Sequence, residues 1–331
     1  MTQTIEDLTA VAVVIPCYRV AGKILGVIEG IPNFVEKIYV VDDCCPEKSG
    51  ALVMSTVTDP RVVVIFNEAN TGVGGAVMAG YRRAIADGVN IIVKMDGDGQ
   101  MDPDGLMPLI LPIVHGEADY TKGNRFFDLT NISRMPAIRI FGNACLSFMT
   151  KLSTGYWDIF DPTNGYTAIH ASVAARLPFE KISRRYFFET DMLFRLGTYQ
   201  AVVQDVPMDA KYDDEVSNLK ISKIMGEFLI KHASTLLKRI FYTYYLRNVS
   251  LASLELPLGV LFMLVGIVFG AKHWWQSVHS GVAASAGTVM FPALLIIMGL
   301  QFVLSFIGYD IESVPRKAIF PSLVRRQSIG S

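Results

Sequence analysis

Cysteine is scarce and unpatterned. The chain of 331 residues has four, Cys17, Cys44, Cys45 and Cys145, and no C-x-x-C pair. That excludes a disulfide framework and a zinc site built on paired thiolates. Cys44 and Cys45 are adjacent, a spacing that seldom bridges, and are read as packing residues. Charge is also sparse, at 18% against about 25% in average soluble domains. The formal net charge of −1 gives no global attraction to nucleic acid. The histidines (115, 170, 232, 273 and 279) show no ligand spacing and are read as surface or packing groups. No P-loop occurs, and the glycine stretch Thr71–Gly75 fails G-x-G-x-x-G because Val77 holds the last position. A dinucleotide site of the Rossmann kind is therefore not expected. The opening residues MTQTIEDLTA have neither a basic nor an apolar region, so no signal peptide is expected.

What the chain has in excess is apolar residues, 51% of the total, with a mean hydropathy of +0.36. The excess lies toward the C-terminus. Between Leu254 and Ala271 the only charge is Glu255, and from Val282 to Gly308 there is none. A helix needs about 20 apolar residues to cross a bilayer core, so two spans are predicted, over about 252–272 and 284–308. Trp274 and Trp275 fall between them, where an aromatic belt would sit. Lys231, Lys238, Arg239 and Arg247 precede the hairpin, and Arg316, Lys317, Arg325 and Arg326 follow it, with only Lys272 between the spans. Positive charge stays inside, so an integral protein of the inner, cytoplasmic membrane is expected, with the domain ahead of the spans and both termini in the cytoplasm. The sequons at Asn131 and Asn248 are discounted on that ground. Upstream, Ile221, Ile224, Phe228, Leu229, Leu236, Ile240 and Tyr244 recur at helical spacing among lysines and arginines. That pattern suits a helix at the membrane surface, one packed on the soluble domain, or both. The expected division is a domain over 1–218, amphipathic juxtamembrane helices over 219–248, the two spans within 249–309, and a cytoplasmic tail over 310–331.

Ahead of these segments, strand and helix signals alternate. Val11–Pro16, Lys37–Asp43, Arg61–Phe66 and Asn90–Gly99 read as strands, with helices over Lys23–Glu29 and near Ala76–Ala86. Buried apolar runs separated by helices predict an α/β domain with a mainly parallel sheet covered on both faces. Ligands of such sheets bind beyond the carboxyl ends of the strands, where Asp42, Asp43, Asp96 and Asp98 gather. The segment Asp96-Gly97-Asp98-Gly99-Gln100 offers two carboxylates and an amide oxygen at a strand end, with Asp104 following. Mg²⁺ and Mn²⁺ take such hard oxygens and keep positions open for substrate phosphates.

Read in order, V-I-P-C-Y-R (Val14–Arg19), V-V-D-D (Val40–Asp43), N-x-G-x-G-x-A (Asn70, Gly72, Gly74, Ala76), D-G-D-G-Q, G-N-R-F (Gly123–Phe126) and D-P-T-N-G-Y (Asp161–Tyr166) resemble the motifs of a GT-A-fold, family 2 glycosyltransferase of the polyprenyl-phosphate type, the group of dolichol-phosphate mannose synthase and the bactoprenol glucosyltransferases. The resemblance covers about residues 10–220, and the following hairpin suits the same architecture. It departs from the family pattern at Arg19, Val73 and Thr167, where Asn, Lys and Arg are usual.

The resemblance implies that Pro16, Tyr18 and Asp43 hold the nucleotide base, with Asp42 supporting the turn and Asn70 and Gly72 belonging to the same donor site. Asp96, Asp98 and Gln100 would bind a divalent metal bridging the donor diphosphate. Arg125, with Arg139 or Arg134, would neutralise acceptor or donor phosphates, since a guanidinium donates two parallel hydrogen bonds. F-F-E-T-D (Phe187–Asp191) falls where relatives place an acidic motif. Glu189 is read as orienting the donor sugar or a loop, and Asp191 as a candidate general base. In Tyr212–Lys220, acids replace a basic motif of the relatives, leaving Lys220 as the cation there.

The expectation is a membrane-anchored, metal-dependent, inverting glycosyltransferase. It would move a sugar from a UDP- or GDP-sugar to a polyprenyl phosphate such as undecaprenyl or dolichyl phosphate, for glycan assembly at the cell envelope. Homo-oligomers are compatible with such spans, and no nucleic acid partner is expected. Two rivals stand beside it. One is a family 2 transferase acting on a lipid-linked saccharide hydroxyl, which would need Asp191 as base. The other is a non-catalytic subunit binding lipid or a partner, against which the intact D-G-D-G-Q argues.

Overall fold

The structure is a computed structural model, and it describes residues 10–127, 137–208 and 221–330. In chain order its elements are β1 (Val11–Cys17), α1 (Ile24–Glu29), β2 (Lys37–Asp42), α2 (Ser49–Thr56), β3 (Val62–Phe66), α3 (Val73–Ala86), β4 (Ile91–Lys94), α4 (Leu106–Val114), β5 (Tyr120–Asn124), α5 (Ala137–Thr154), β6 (Thr167–His170), α6 (Ala171–Ala174), α7 (Phe188–Tyr199) and β7 (Val203–Pro207). After these come α8 (Ile221–Phe241), α9 (Ala252–Ser280), α10 (Ala286–Glu312) and α11 (Phe320–Gly330).

The strands form one sheet in the order β3-β2-β1-β4-β6-β5-β7. Pairing is parallel except at β6, which runs against both β4 and β5. This is the mainly parallel α/β arrangement of the GT-A fold. Every residue of β1 is buried, and so are all but the first of β2. Their Val and Ile side chains pack with Ile24, Val27, Leu106 and Leu109 into the main core, as a strand covered on both faces requires.

The described residues fall into two compact units, 1–236 with 315–331, and 237–314. In the first, the tail packs on the sheet domain. Asp119 is wholly buried, and its carboxylate accepts the backbone N–H groups of Ile319, Phe320 and Val202 at 2.8–3.0 Å. The Phe320 ring stacks on His170 with centroids 4.1 Å apart. Through these contacts the tail packs with the sheet domain. The second unit holds α9 and α10, both long and apolar enough to cross a membrane. α9 continues past its expected end through Trp274 and Trp275 to Ser280, and α10 runs from Ala286 to Glu312. In the same unit Asp310 is buried and accepts two hydrogen bonds from Arg239, at 2.6 and 3.0 Å, and one from Tyr244.

Candidate active site

Strands β2, β1 and β4 are neighbours and parallel, so their carboxyl ends open side by side. A cavity of about 310 Å³ lies there. Pro16, Tyr18, Asp43, Asn70, Asp96 and Asp98 all line it, together with Gly72, Arg185 and Tyr186. Sequence positions 16 to 98 thus converge on one mouth, where this sheet class binds ligands. Tyr18 is 43% exposed and presents a ring face of the kind on which a planar base stacks.

The two adjacent aspartates do different work. Asp42 is buried, does not line the cavity, and accepts the backbone N–H groups of Cys45 and Gly50, both at 2.7 Å. It therefore holds the turn after β2 and does not face a ligand. Asp43 lines the cavity, and its oxygens already accept from Asn67 Nδ2, Thr71 N, Thr71 Oγ1 and Gly72 N at 2.7–2.9 Å. Its first effect is to fold residues 67–72 into the cavity wall.

The glycine stretch after Thr71 cradles a chain. Gly72 has φ +84°, and a Cβ there would lie 2.6 Å from the carbonyl oxygen of Arg184. That carbonyl accepts from Gly74 N at 2.9 Å, and a Cβ on Gly74 would meet the Phe188 ring at 2.5 Å. The small residues exist so that the loop ahead of α7 can dock backbone to backbone.

Behind the cavity sits a buried charge network that the sequence does not announce. Lys94, on β4, is 2% exposed, with Nζ 3.0 Å from Asp96 Oδ1 and 3.6 Å from Glu189 Oε1. Burial alone would push this ammonium down, but Asp96 and Glu189 outweigh it and hold the group above the ordinary lysine value. Lys122, on β5, is wholly buried and donates to the Asn164 carbonyl. Burial pushes Lys122 down to about 8, against the opposing pull of Asp161 and Glu189. Gly165 is glycine because a Cβ there would strike Lys94 Nζ and approach Asp96 Oδ2 to 2.9 Å.

Several expected site residues stand elsewhere or are already engaged. Arg125 forms a two-pronged pair with buried Asp161, Nε to Oδ2 at 2.8 Å and a terminal nitrogen to Oδ1 at 3.1 Å. Asp191 accepts from Ser183 N at 2.8 Å and pairs with Arg195 at 3.3 Å. It thereby anchors the loop ahead of α7. Glu189 borders Lys94, as an orienting group would. Gln100 does not line the cavity; its backbone N–H donates to Asp98 Oδ1 at 3.0 Å. Arg134 and the stretch from Tyr212 to Lys220 lie outside the described residues, as does the side chain of Arg139, whose backbone starts α5.

The metal question turns on the donor set. Among the described residues no group of three or more His, Cys, Asp and Glu side chains gathers around one point. Asp96 and Asp98 both face the cavity. Two carboxylate oxygens with room beside them fit an ion that completes its shell from phosphates and water, as Mg²⁺ and Mn²⁺ do. The residues present therefore fit such an ion.

Comparison with known proteins agrees with this geometry. The chain is 27% identical over 239 residues to the UDP-N-acetylglucosamine–dolichyl-phosphate N-acetylglucosaminyltransferase of Methanococcus voltae, covering 68% of this chain and 94% of that one. It is 30% identical over 196 residues to the undecaprenyl-phosphate mannosyltransferase of Micrococcus luteus, covering 58% and 79%. Among solved structures, glucosyl-3-phosphoglycerate synthase of Mycobacterium tuberculosis, in complex with Mn²⁺, UDP and phosphoglyceric acid, shares the fold with a TM-score of 0.51 at 17% identity, over 71% of this chain and 82% of that one. The family model described as Glycosyl transferase family 2 matches residues 12–177, half of the chain, and the protein belongs to that family.

Proposed function

We propose that the protein transfers a glycosyl group from a nucleoside diphosphate sugar to the phosphate of a polyprenyl lipid, at the cytoplasmic surface of a membrane in which α9 and α10 anchor it. The observation that carries this reading is the single cavity that collects Pro16, Tyr18, Asp43, Asn70, Asp96 and Asp98 in a chain with two apolar helices of spanning length. The names of the relatives support the acceptor class. Exposed Phe141 and Phe148 on α5 and Leu229 and Ile230 on α8 support an interfacial site. These two helices are joined by a 2.8 Å bond between Ser153 Oγ and His232 Nδ1.

In the reaction an acceptor phosphate oxygen forms a bond to the anomeric carbon while the bond from that carbon to the diphosphate oxygen breaks. The electron pair leaves with the nucleoside diphosphate, and the configuration inverts. The acceptor is already ionised at neutral pH, so no proton has to be removed. This suits a site in which Asp191 is engaged by Ser183 N and Arg195. Tyr18 and Pro16 border the base, and Asp43 fixes the wall that meets the donor. Lys94 holds Asp96 and Glu189 in place, limiting what must reorganise as charge develops. Asp96 and Asp98 would hold a divalent ion, which when bound neutralises the departing diphosphate. The complexes of the fold neighbour with Mn²⁺ and UDP support that assignment.

The test is a transfer assay with purified protein, undecaprenyl phosphate, Mg²⁺ or Mn²⁺, and a panel of labelled UDP- and GDP-sugars. Label in the organic phase from one donor, lost with EDTA and with Asp98→Ala, is the expected outcome and names the sugar. Metal-dependent nucleotide binding with no labelled lipid from any donor would move the acceptor to a saccharide hydroxyl.

A further inference from the structure

Beside the donor cavity lies a second one of about 710 Å³, which shares Asn70, Arg185 and Tyr186 with the first. Its cations are Arg184 and Arg185, in the loop ahead of α7, and Lys231 on α8. None of the three stands out in the sequence as a site residue. Among the described residues neither Arg184 nor Arg185 has an ion-pair partner, and both are exposed. Lys231 is shared with Glu227 at 2.7 Å and lies 5.7 Å from the Phe187 ring centre.

The backbone between these cations is anchored on every side. Ser183 N donates to Asp191, the Arg184 carbonyl accepts from Gly74 N, and the Arg185 carbonyl accepts from Phe188 N, at 2.8–2.9 Å. Gly72 and Gly74 have no side chains because the loop occupies that space. A surface that merely needs positive charge for solubility has no use for such anchoring. A fixed loop that turns two uncompensated guanidiniums toward a cavity is built to receive an anion with several acceptor oxygens. On the α8 side the wall is Phe228, and the next two residues, Leu229 and Ile230, are 51% and 72% exposed. An apolar chain leaving the cavity would find that surface.

The geometry points to this second cavity as the seat of the acceptor's phosphomonoester, held by Arg184 and Arg185 with Lys231 as a third cation. Arg185, which lines both cavities, faces the donor diphosphate as well as the acceptor. The assignment rests on the reading of the reaction given above, and it deepens that reading by placing the acceptor. The same phosphate chemistry can come from a lipid headgroup or from a free phosphate, and the experiment separates these sources.

The test is equilibrium binding to the full-length protein without turnover, using farnesyl phosphate, farnesol and inorganic phosphate as probes, and UDP and GDP with Mn²⁺ for the donor cavity. Arg184→Gln and Lys231→Gln should weaken farnesyl phosphate by about 10- to 100-fold, the range of a lost charge-assisted hydrogen bond, and leave the nucleotide affinity unchanged. Arg185→Gln should weaken both ligands. Arg83→Gln, on the outer face of α3, should change neither, and melting curves identify any variant that fails to fold. Arg184→Lys, which keeps the charge, should recover part of the loss. Farnesol binding as tightly as farnesyl phosphate, or wild-type affinity in Arg184→Gln, would overturn the site. Displacement of farnesyl phosphate by equimolar inorganic phosphate would keep the phosphate seat but overturn the lipid headgroup as its source. A chain that binds farnesyl phosphate through these residues, yet transfers no sugar to polyprenyl phosphate, would sink the proposed reaction and leave the site standing.

Discussion

Lys94 Nζ lies 3.0 Å from Asp96 Oδ1, so the first acid of the D-G-D-G-Q segment is held by a buried cation two residues upstream, at the end of β4. Glu189 approaches the same ammonium at 3.6 Å from α7. Lys94 thereby lets two carboxylates stand close together beside the cavity without repelling each other.

Replacing Lys94 by Met should remove that compensation. Truncating one partner of a buried pair costs about 3–5 kcal/mol, and the low end applies because Asp96 is partly exposed. In EDTA, Lys94→Met should therefore melt well below the wild type. Mn²⁺ should then raise its melting temperature by more than it raises that of the wild type, since the ion would supply the missing positive charge and stabilise by mass action. Equal Mn²⁺ shifts in both proteins would separate Lys94 from the ion's site.

Gly74→Ala tests the docking of the loop ahead of α7. The added methyl would come within 2.5 Å of the Phe188 ring and 2.8 Å of the Ser183 carbonyl, and overpacking of this kind costs about 1–3 kcal/mol. Because the loop borders both cavities, sugar transfer should fall by more than the melting temperature alone accounts for. Gly88→Ala gives the contrast: Gly88 has a positive φ, +79°, which helical Gly74 lacks, and no atom lies within 4 Å of its Cβ position. That variant should carry only the backbone strain and leave transfer unchanged.

Patterns local in the sequence were legible, and those set by contacts far along the chain were not. β1 to β4 stand out as Val and Ile runs, β2 and β4 with acids at their ends, and the structure places them within a few residues of the expected limits. β5 reads YTKGN, a polar string. It is buried because Lys122 and Asn124 find partners at Asn164 and Asp205, which no window around residue 122 can reveal. β6 has four residues and runs against its neighbours, too short to carry a period. The cavity at the carboxyl ends of β1, β2 and β4 could be assembled from motifs because each motif sits at a strand end. Arg184 and Arg185 could not, since two arginines in a loop look like any solvated surface. Their meaning comes from glycines more than a hundred positions earlier.

Arg125 offers a direct contest between two roles. Its guanidinium grips Asp161 with two hydrogen bonds, and Asp161 is 1% exposed. If the pair is structural, Arg125→Gln should lower stability by about 1.5–3 kcal/mol, the usual range for a hydrogen bond to a charged group. Acceptor affinity would then fall no further than the loss of folded protein explains. A specific loss of affinity for a polyprenyl phosphate at unchanged melting temperature would return Arg125 to the phosphate role expected from the sequence.

The docked tail should respond to acid through His170. Its Nδ1 accepts from Ser172 N at 3.2 Å at the start of α6, while its ring lies against Phe320. The folded protein thus needs the neutral imidazole, and burial pushes its pKa down from 6.5 to about 4. Between those values the unfolded chain binds a proton that the folded one refuses, so stability rises with pH across that window. The contribution is complete above about pH 6.5 and is lost as pH falls toward 4. His232, also pushed down to about 4 by burial, acts in the same direction. Asp205 acts against them, because burial raises it to about 6, so protonating it in acid stabilises the fold. Burial raises Asp119 as well, so two carboxylates oppose the two imidazoles, and the share that belongs to the tail is that of His170, whose ring lies against Phe320. Limited proteolysis after residue 314 should accelerate from pH 7 to pH 4.5. In His170→Gln, whose amide oxygen can still accept from Ser172 and which does not titrate, that acceleration should shrink. Equal acceleration in both proteins would remove His170 as the source.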